Sequence, residues 1–292
     1  MVVLAHWKGD LVNTEQQQTQ PYSPIDFSGL AALADQHRQE YVTGQPWPHL
    51  VLDDLVDPTA IAAAEAEEIG PALGLELKHG RRMVKAESPR VTGEAARNIL
   101  ESLRAPQFVA FLEELTGISG LIPDPTHLWA GLHVGPPGAF HALHRDFRLH
   151  PGTGLFHRVN VLVFLNSDWK SEYGGELELW PEDASACVQR ISPLAGKVVI
   201  FETTPASLHA IPDPVRCPPG RARLSLASFY YTEGPGPLDR KERRFFVPKR
   251  PQDPWYYGVG GFKETVQSVW HLASNSVTSR RSTPGNGDVD VI

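Results

Sequence analysis

Seven short segments of β-forming residues, separated by glycine and proline, lie between residues 126 and 232. They read THLWAGLHV, FHALHRDF, RVNVLVFLN, GGELELW, GKVVIFET, ASLHAI and RARLSLASFYYT. Short strands at this density, with turn residues between them, indicate an antiparallel sandwich or jelly roll rather than alternating β and α units. RVNVLVFLN is apolar on both faces apart from its asparagines, which predicts a central strand covered on both sides.

The chain before this region is predicted to be mostly helical, with helices that buttress a sheet. Asp57 and Pro58 form an N-cap and first-turn pair, so we expect a helix through residues 61–69 that stops at Gly70. The other predicted elements are helices over 27–42, 94–103 and 107–117 and a strand over 49–55. The fold class is therefore α+β with a mostly β core.

We predict a single domain over residues 25–274 between two loosely held ends, 1–24 and 275–292, which are polar and lack periodicity. Within the domain we expect a helical part over 25–120, a jelly-roll core over 121–235 and a C-terminal extension with helices over 236–274. Trp255, Tyr256, Tyr257, Phe262 and Trp270 of that extension are expected to wall a pocket or form an oligomer contact, and a homodimer is left open.

Charge and cysteine content exclude several classes of function. A net charge of −7 without a run of Lys and Arg argues against a nucleic-acid partner. Cys187 and Cys217 lie far apart, which argues against a disulfide framework or a thiolate zinc site and favours a reducing, cytoplasmic setting. No stretch approaches the ~20 apolar residues of a membrane span, so no membrane partner is expected.

The decapeptide HALHRDFRLH, residues 141–150, contains the strongest candidates for chemistry. Because side chains alternate across a strand, His144 and Asp146 project to one face while Arg145 points away. A jelly roll brings late strands back across the barrel mouth, which makes His209 in SLHAIP the natural third ligand. Two imidazoles and one carboxylate form the facial triad of non-haem Fe(II) oxygenases, with positions left open for substrate and O₂.

An arginine in a late strand completes such a site. Fe(II) with one carboxylate ligand keeps one positive charge and suits a dianionic oxo-acid, whose far carboxylate needs a buried cation. Arginine pairs bidentately with carboxylates and stays charged when buried. In GRARLSLASFYYT, Arg223 shares a face with Ser225 and lies deep in the strand, whereas Arg221 lies nearer the loop. Arg223 is favoured, and Arg221 stays an alternative.

The order His144-x-Asp146, RVNVLVFLN, DWKSEYGGELELW, PLAGKVVIF, His209 and RLSLASFYYT resembles the Fe(II)/2-oxoglutarate-dependent dioxygenase superfamily, in its prolyl 4-hydroxylase-like branch. The resemblance covers residues 127–232 and more loosely 46–58. It implies a double-stranded β-helix, Fe(II), O₂ and 2-oxoglutarate as co-substrate. It also implies that His144, Asp146 and His209 bind iron, and that Arg223 binds the distal carboxylate of 2-oxoglutarate with Ser225. Asn160 is a further candidate for contact with 2-oxoglutarate, as is Arg158.

Other side chains near the motif are weaker candidates for the substrate pocket. His133 and Trp129 share strand parity and are candidate pocket residues, with Phe147 and Arg148 after the motif. Strict alternation sends His141 to the face opposite His144, although contact with substrate stays open. His150 is expected to face solvent or to anchor a loop, although contact with substrate stays open, and Glu176 and Glu178 are expected to form a solvated face.

These features predict an oxygenase that hydroxylates an unactivated C–H bond while 2-oxoglutarate is converted to succinate. Desaturation, cyclisation and protein prolyl hydroxylation use the same cofactors and stay open, whereas the ligand Asp146 disfavours halogenation. The acidic charge and the lack of a peptide-groove signature favour a small-molecule substrate, such as an amino acid or a biosynthetic intermediate. A cupin-like metal-binding module without turnover is the alternative of another class, although such a module gives no reason to bury Arg223.

Overall fold

The computed structural model describes residues 23–76, 78–79, 83–88, 91–126, 130–234 and 245–246. Four α-helices lie in the first part of the described chain. They are α1 (Leu30–Thr43), α2 (Pro58–Leu73), α3 (Glu94–Arg104) and α4 (Pro106–Thr116), and a 3-10 turn at Phe27–Gly29 precedes α1. No helix among the described residues has the length and apolar character needed to cross a membrane.

Helix α2 begins as its sequence predicts and ends later. The Asp57 carboxylate accepts a hydrogen bond from the Thr59 backbone N–H at 2.8 Å, and Pro58 occupies the first turn. The predicted stop at Gly70 is wrong, because the helix continues through Pro71 to Leu73. Ala72 is buried in the main apolar cluster, and this burial holds a last turn that local propensity disfavours.

Thirteen strands are described, all paired antiparallel. They are β1 (His49–Leu52), β2 (Lys78–His79), β3 (Met83–Ser88), β4 (Ile122–Pro123), β5 (Gly131–Gly135), β6 (Phe140–Arg145), β7 (Phe156–Phe164), β8 (Leu177–Trp180), β9 (Gln189–Ile191), β10 (Val198–Glu202), β11 (Leu208–Ile211), β12 (Arg223–Thr232) and β13 (Phe245–Phe246). One sheet has the order β1-β10-β7-β12-β5-β3, and the other has the order β3-β6-β11-β8-β9. Together they form the predicted jelly roll, a double-stranded β-helix with a mostly β, α+β composition.

The strand β3 belongs to both sheets. Its second half pairs with β5, where Ala86 lies opposite Val134, and its first half pairs with β6, where Met83 lies opposite His141. We predicted only helices and one strand before residue 120, so β2 and β3 correct that expectation. The backbone of β3 therefore joins the two sheets along one side of the barrel.

Side chains join the sheets along the other side, where the edge strands β1 and β9 lie. The Trp47 indole N–H donates to the Trp180 carbonyl at 2.9 Å. His49 Nε2 lies 2.7 Å from Gln189 Oε1, a hydrogen bond between the two edge strands. Among the described residues no strand pairing links β1 to β9, so these two bonds and the apolar packing of Trp47 close the barrel on this side.

The long strands β7 and β12 have two buried faces, as expected for central strands. Their outer face supplies Val161, Leu226 and Tyr230 to the same apolar cluster as all four helices. Their inner face carries Asn160, Arg223, Ser225 and Phe229, which line a cavity between the sheets.

Several predicted features fall outside the described residues. They are the N-terminal arm up to residue 22, the extension beyond residue 234 apart from the strand β13, its helices and aromatic residues, and the tail over 275–292. The predicted domain boundaries stay predictions.

Candidate active site

One cavity opens between the two sheets, and its walls come from β5, β6, β7, β8, β10, β11 and β12. His144, Asp146 and His209 lie on one wall, and Arg223 and Ser225 lie on another. Five residues separated by up to 81 positions in the sequence therefore share one enclosed space.

The register of β6 and β11 brings the two histidines together, because His144 lies directly opposite His209. Their ring centroids are 4.3 Å apart. Asp146 Oδ1 lies 3.5 Å from His144 Nε2, and Asp146 Oδ2 lies 3.7 Å from His209 Nε2. One ligand atom from each residue falls within 4.8 Å of the other two, and all three residues are buried.

Both imidazoles are oriented by backbone carbonyls. His144 Nδ1 lies 2.8 Å from the Ala142 carbonyl, and His209 Nδ1 lies 3.1 Å from the Ser207 carbonyl. A carbonyl only accepts, so Nδ1 carries a proton in each ring and Nε2 is the nitrogen that faces Asp146 and is placed to bind a metal. Two imidazoles and one carboxylate fit a divalent first-row metal, and they match the set that non-haem Fe(II) enzymes use.

Asp146 has a hydrogen-bond donor on β7. Asn160 Nδ2 donates to Asp146 Oδ2 at 2.8 Å, and both side chains are buried. The contact with 2-oxoglutarate that we predicted for Asn160 stays a prediction, since the bond described here is to the carboxylate.

Arg223 is buried in the cavity wall without an acidic partner among the described residues. Its Nε donates to the Gly175 carbonyl at 2.6 Å, and its guanidinium carbon lies 4.9 Å from the centroid of the Phe164 ring. Burial lowers the pKa of Arg223 to about 10, so the side chain stays charged at neutral pH. A buried, unpaired cation is costly, and a carboxylate ligand would offset that cost.

A glycine shapes the place that Arg223 occupies. Gly175 has a φ of +77°, and a Cβ at this position would lie 2.9 Å from Arg223 Cδ. Glycine tolerates this φ and leaves room for the arginine stem. Gly175, before the ELELW segment, therefore makes room for the arginine, a relation that no local sequence signal indicates.

Arg221 points elsewhere. Its guanidinium hydrogen-bonds to the Ser167 carbonyl and lies 3.9 Å from Glu65 Oε1, away from the cavity. Arg223 is thus the only one of the two arginines that lines the cavity.

His141 corrects the alternation argument. His144 pairs with His209 and His141 pairs with Ile211, so three steps on β6 match two steps on β11. This β-bulge turns His141 to the same side as His144, with ring centroids 3.8 Å apart, and His141 lines the cavity. His133, opposite Ser225 on β5, lines the cavity as well.

Other predicted pocket residues lie outside the cavity wall. Phe147 packs in an apolar cluster with Phe229 and Tyr231. Arg148 is buried but does not line the cavity. Arg158 does not line it either, and its Nη2 lies 3.3 Å from Glu202 Oε1. Trp129 falls outside the described residues. His150 anchors a loop as expected, because its Nδ1 accepts from the backbone N–H groups of Gly152 and Thr153.

Glu178 contradicts the expectation of a solvated face. It is 2% exposed, accepts a hydrogen bond from the Trp180 indole and pairs with Arg190 at 2.9 Å. The GGELELW strand is covered on both faces, so alternation of charged and apolar residues does not indicate solvent exposure here.

Sequence reasoning also missed His157. The ring is fully buried and lies 4.9 Å from Phe147 and 5.1 Å from Tyr231, and its Nδ1 lies 3.2 Å from the Phe147 carbonyl. Burial, the largest cause, lowers the pKa of His157 to about 4, so the ring is neutral behind Asn160 and Asp146. Its position at the start of a strand gives no signal for this role.

The jelly roll and its buried two-histidine, one-carboxylate cluster are the features expected of mononuclear non-haem iron proteins. Residues 130–231 match the model of the 2OG-Fe(II) oxygenase superfamily. A mouse protein, prolyl 3-hydroxylase OGFOD1, is 24% identical over 159 residues, which cover 53% of this chain and 27% of the relative. The match thus spans about a quarter of that relative's length.

Two solved structures share the fold. A prolyl hydroxylase in complex with a hypoxia inducible factor peptide fragment, from Trichoplax adhaerens, has a TM-score of 0.52 at 16% identity, over 70% of this chain and 92% of that chain. A prolyl 4-hydroxylase from Phytophthora capsici has a TM-score of 0.51 at 19% identity, over 89% of this chain and 82% of that chain.

The fold of the chain is that of the prolyl 4-hydroxylase-like structures, a double-stranded β-helix. The resemblance predicted from the sequence is confirmed as a similarity to the 2OG-Fe(II) oxygenase model, and this similarity supports the predicted Fe(II), 2-oxoglutarate and O₂ chemistry.

The preference for a small-molecule substrate was wrong. The mouse relative is named a prolyl hydroxylase, and the Trichoplax enzyme is in complex with a peptide. Overall acidity, which reports on solubility and association rather than on a site, did not justify that preference.

Proposed function

We propose that this chain is an Fe(II)- and 2-oxoglutarate-dependent hydroxylase that acts on a prolyl residue of a protein substrate. One observation carries the proposal: three ligand atoms within 4.8 Å of one another share a cavity with a buried arginine that has no acidic partner in the described part of the chain. His144, Asp146 and His209 would hold Fe(II), and Arg223 would bind the distal carboxylate of 2-oxoglutarate with Ser225 beside it.

The residues of the chain prepare the site in three ways. The Ala142 and Ser207 carbonyls keep the two imidazoles in the tautomer that presents Nε2. The Gly175 carbonyl occupies Arg223 Nε, which leaves the terminal nitrogens for a carboxylate. When bound, iron would supply the activation of O₂ for oxidation of a C–H bond, coupled to decarboxylation of 2-oxoglutarate to succinate.

A prolyl substrate is supported by the names of the relatives and by the character of the cavity. The mouse relative is a prolyl 3-hydroxylase and the Phytophthora structure is a prolyl 4-hydroxylase, so the oxidised carbon is left to experiment. Val134, Phe140 and Ile211 line the cavity with apolar surface, which suits a pyrrolidine ring. The cytoplasmic setting stays a prediction, and neither Cys187 nor Cys217 forms a disulfide among the described residues.

The test begins without oxygen. Fe(II) and 2-oxoglutarate are added anaerobically to the purified chain, and the weak visible charge-transfer band of the chelate is recorded. O₂ is then admitted with a library of proline-containing peptides, and succinate and a peptide mass gain of one oxygen atom are measured. We expect the band, succinate and hydroxyproline from the folded protein, and none of them from Asp146→Ala.

Each outcome is decisive for one level of the proposal. Folded protein that gives neither band nor succinate would leave a metal-binding module without turnover and overturn the hydroxylase. Succinate with no oxidised peptide, but with an oxidised free amino acid, would overturn the protein substrate alone. A mass loss of two hydrogens would identify desaturation or cyclisation in place of hydroxylation.

A further inference from the structure

Asn160 occupies a central position in the barrel wall, where a polar side chain requires a reason. Its strand β7 pairs with β10 on one side and β12 on the other, and Asn160 lies opposite Phe201 and Phe229 in the two registers. The residue is 1% exposed. An asparagine in this apolar frame costs stability unless its amide is satisfied.

The partner of the amide is the acidic member of the metal cluster. Asn160 Nδ2 lies 2.8 Å from Asp146 Oδ2. Because an ionised carboxylate only accepts hydrogen bonds, the atom that faces it must be the amide nitrogen. This bond fixes the rotation of the carboxylate plane, which otherwise turns about a broad terminal torsion.

The surroundings of Asn160 keep the amide in place. Backbone pairing on both sides fixes β7, and Phe201 and Phe229 line the cavity next to it. His157, three residues earlier, packs against Phe147, Phe229 and Tyr231. A rigid support of this kind is what a metal ligand needs, since loosely held ligands lose affinity.

We propose that Asn160 is a positioning residue for the metal ligand Asp146, which it holds in the orientation that binds a divalent cation. The inference rests on the proposed function, because it assumes that Asp146 ligates metal. It assigns Asn160 to the support of the ligand set rather than to contact with 2-oxoglutarate.

A second asparagine in the same region serves as the matched control. Asn166 is also 1% exposed and lies two residues after β7. It donates to the Pro193 and Leu224 carbonyls and accepts from the Leu224 backbone N–H. Its bonds are all to backbone, so Asn166 supports the fold without touching the metal cluster.

The experiment compares Asn160→Leu with Asn166→Leu, which both remove an amide and keep a buried side chain of similar size. Ni(II) affinity is measured by anaerobic titration of the full chain, and unfolding is measured without metal. Ni(II) binds imidazole sites more tightly than Fe(II) does and is stable to air. We expect Asn160→Leu to weaken Ni(II) binding roughly 10–100-fold, the usual effect of losing a hydrogen-bond partner of a ligand. Asn166→Leu should lower stability and leave the affinity of the folded protein unchanged.

A double-mutant cycle with Asp146→Ala separates positioning from general damage. If Asn160 acts through Asp146, Asn160→Leu has no further effect once the carboxylate is gone. An equal loss of affinity in both backgrounds, or no loss in either, would overturn the proposal. Should Asn160→Leu fail to fold, Asn160→Ala takes its place in the cycle. Failure of the unaltered protein to bind Ni(II) would instead count against the metal site of the proposed function.

Discussion

The two faces of β7 and β12 carry different kinds of buried side chain although they belong to the same strands. The outer face carries Val161, Leu226 and Tyr230, each fully buried against the helices. The inner face carries Asn160, Arg223 and Ser225, which are equally buried but polar or charged. Burial is the same on both sides, so the difference is in what the buried groups contact.

The comparison teaches that burial alone does not distinguish core from site. The outer face lowers the free energy of folding by removing apolar surface from water. The buried polar groups of the inner face lower the stability of the fold until ligands satisfy them. The apolar packing of the outer face offsets this loss. Changes on the outer face should therefore alter stability, and changes on the inner face should alter ligand binding.

The largest effect should come from His144→Ala, which removes a metal ligand from the inner side. We expect loss of iron binding and a fall in succinate formation of at least about 10³-fold, since a two-ligand site cannot hold the metal in place. His150→Ala is the control from the same decapeptide, because His150 anchors a loop outside the cavity. Retained turnover in His144→Ala would remove this residue from the ligand set.

Leu226→Ala tests the outer face. Leu226 is 0% exposed within the main apolar cluster, so its truncation should lower the free energy of unfolding by about 2–5 kcal/mol. Denaturant unfolding measures this change, and the iron affinity of the folded protein should stay the same. A parallel loss of affinity would show that the two faces are not separable.

Arg223→Ala should weaken ligand binding and have a smaller effect on stability, in contrast to Leu226→Ala. We expect the dissociation constant of 2-oxoglutarate to rise roughly 100-fold, which corresponds to the loss of a charged hydrogen-bonding partner. The unliganded protein should lose less stability than Leu226→Ala does, because an unpaired buried cation is removed. Arg221→Ala, two residues away and outside the cavity, should leave 2-oxoglutarate affinity unchanged; the reverse pattern would reassign the carboxylate to Arg221.

The pH dependence of the free energy of unfolding tests whether the buried ring of His157 is neutral in the fold. The pKa of His157 is about 4 in the fold and near the ordinary histidine value of 6.5 when the chain is unfolded, so the unfolded chain binds the extra proton first. The neutral His157 ring therefore contributes fully to the free energy of unfolding above pH 6.5. This contribution, on the order of 2–3 kcal/mol, is lost as the pH falls from 6.5 toward 4. His157→Phe should flatten the unfolding free energy across this window, and an unchanged slope would show that His157 is not neutral in the fold.

The smallest effect is expected for Ser225→Ala. Loss of one neutral hydroxyl donor should weaken 2-oxoglutarate binding about fivefold, near 1 kcal/mol. Ser228→Ala on the other face of β12 should have no effect on this binding. Equal effects of the two changes would mean that the hydroxyl of Ser225 has no role of its own.

Regular alternation explains how much of this site could be predicted. Between Arg223 and Phe229 the pairing of β12 with β5 and β7 is regular, so the separation of Arg223 and Ser225 from Leu224 and Leu226 follows from sequence alone. On β6 one extra residue reverses the face of His141, and a bulge is decided by pairing with β11, which the local sequence does not contain.

Tertiary contacts explain the other differences between prediction and structure. Glu178 is buried because Trp180 and Arg190 satisfy its carboxylate, and Arg190 comes from the neighbouring strand β9. Helix α2 continues past Gly70 because Ala72 joins the core. The position of Gly175 against Arg223 depends on residues 48 apart in the chain, a relation that appears only once the strands are assembled.

The barrel is closed on its two sides by different kinds of contact. Along β3 the contacts are main-chain ladders to both sheets. At the edges formed by β1 and β9 they are the side-chain bonds Trp47–Trp180 and His49–Gln189, together with the packing of Trp47 against Leu177 and Ile191. A change at Trp47 or His49 should therefore loosen this side of the barrel without breaking a strand pair.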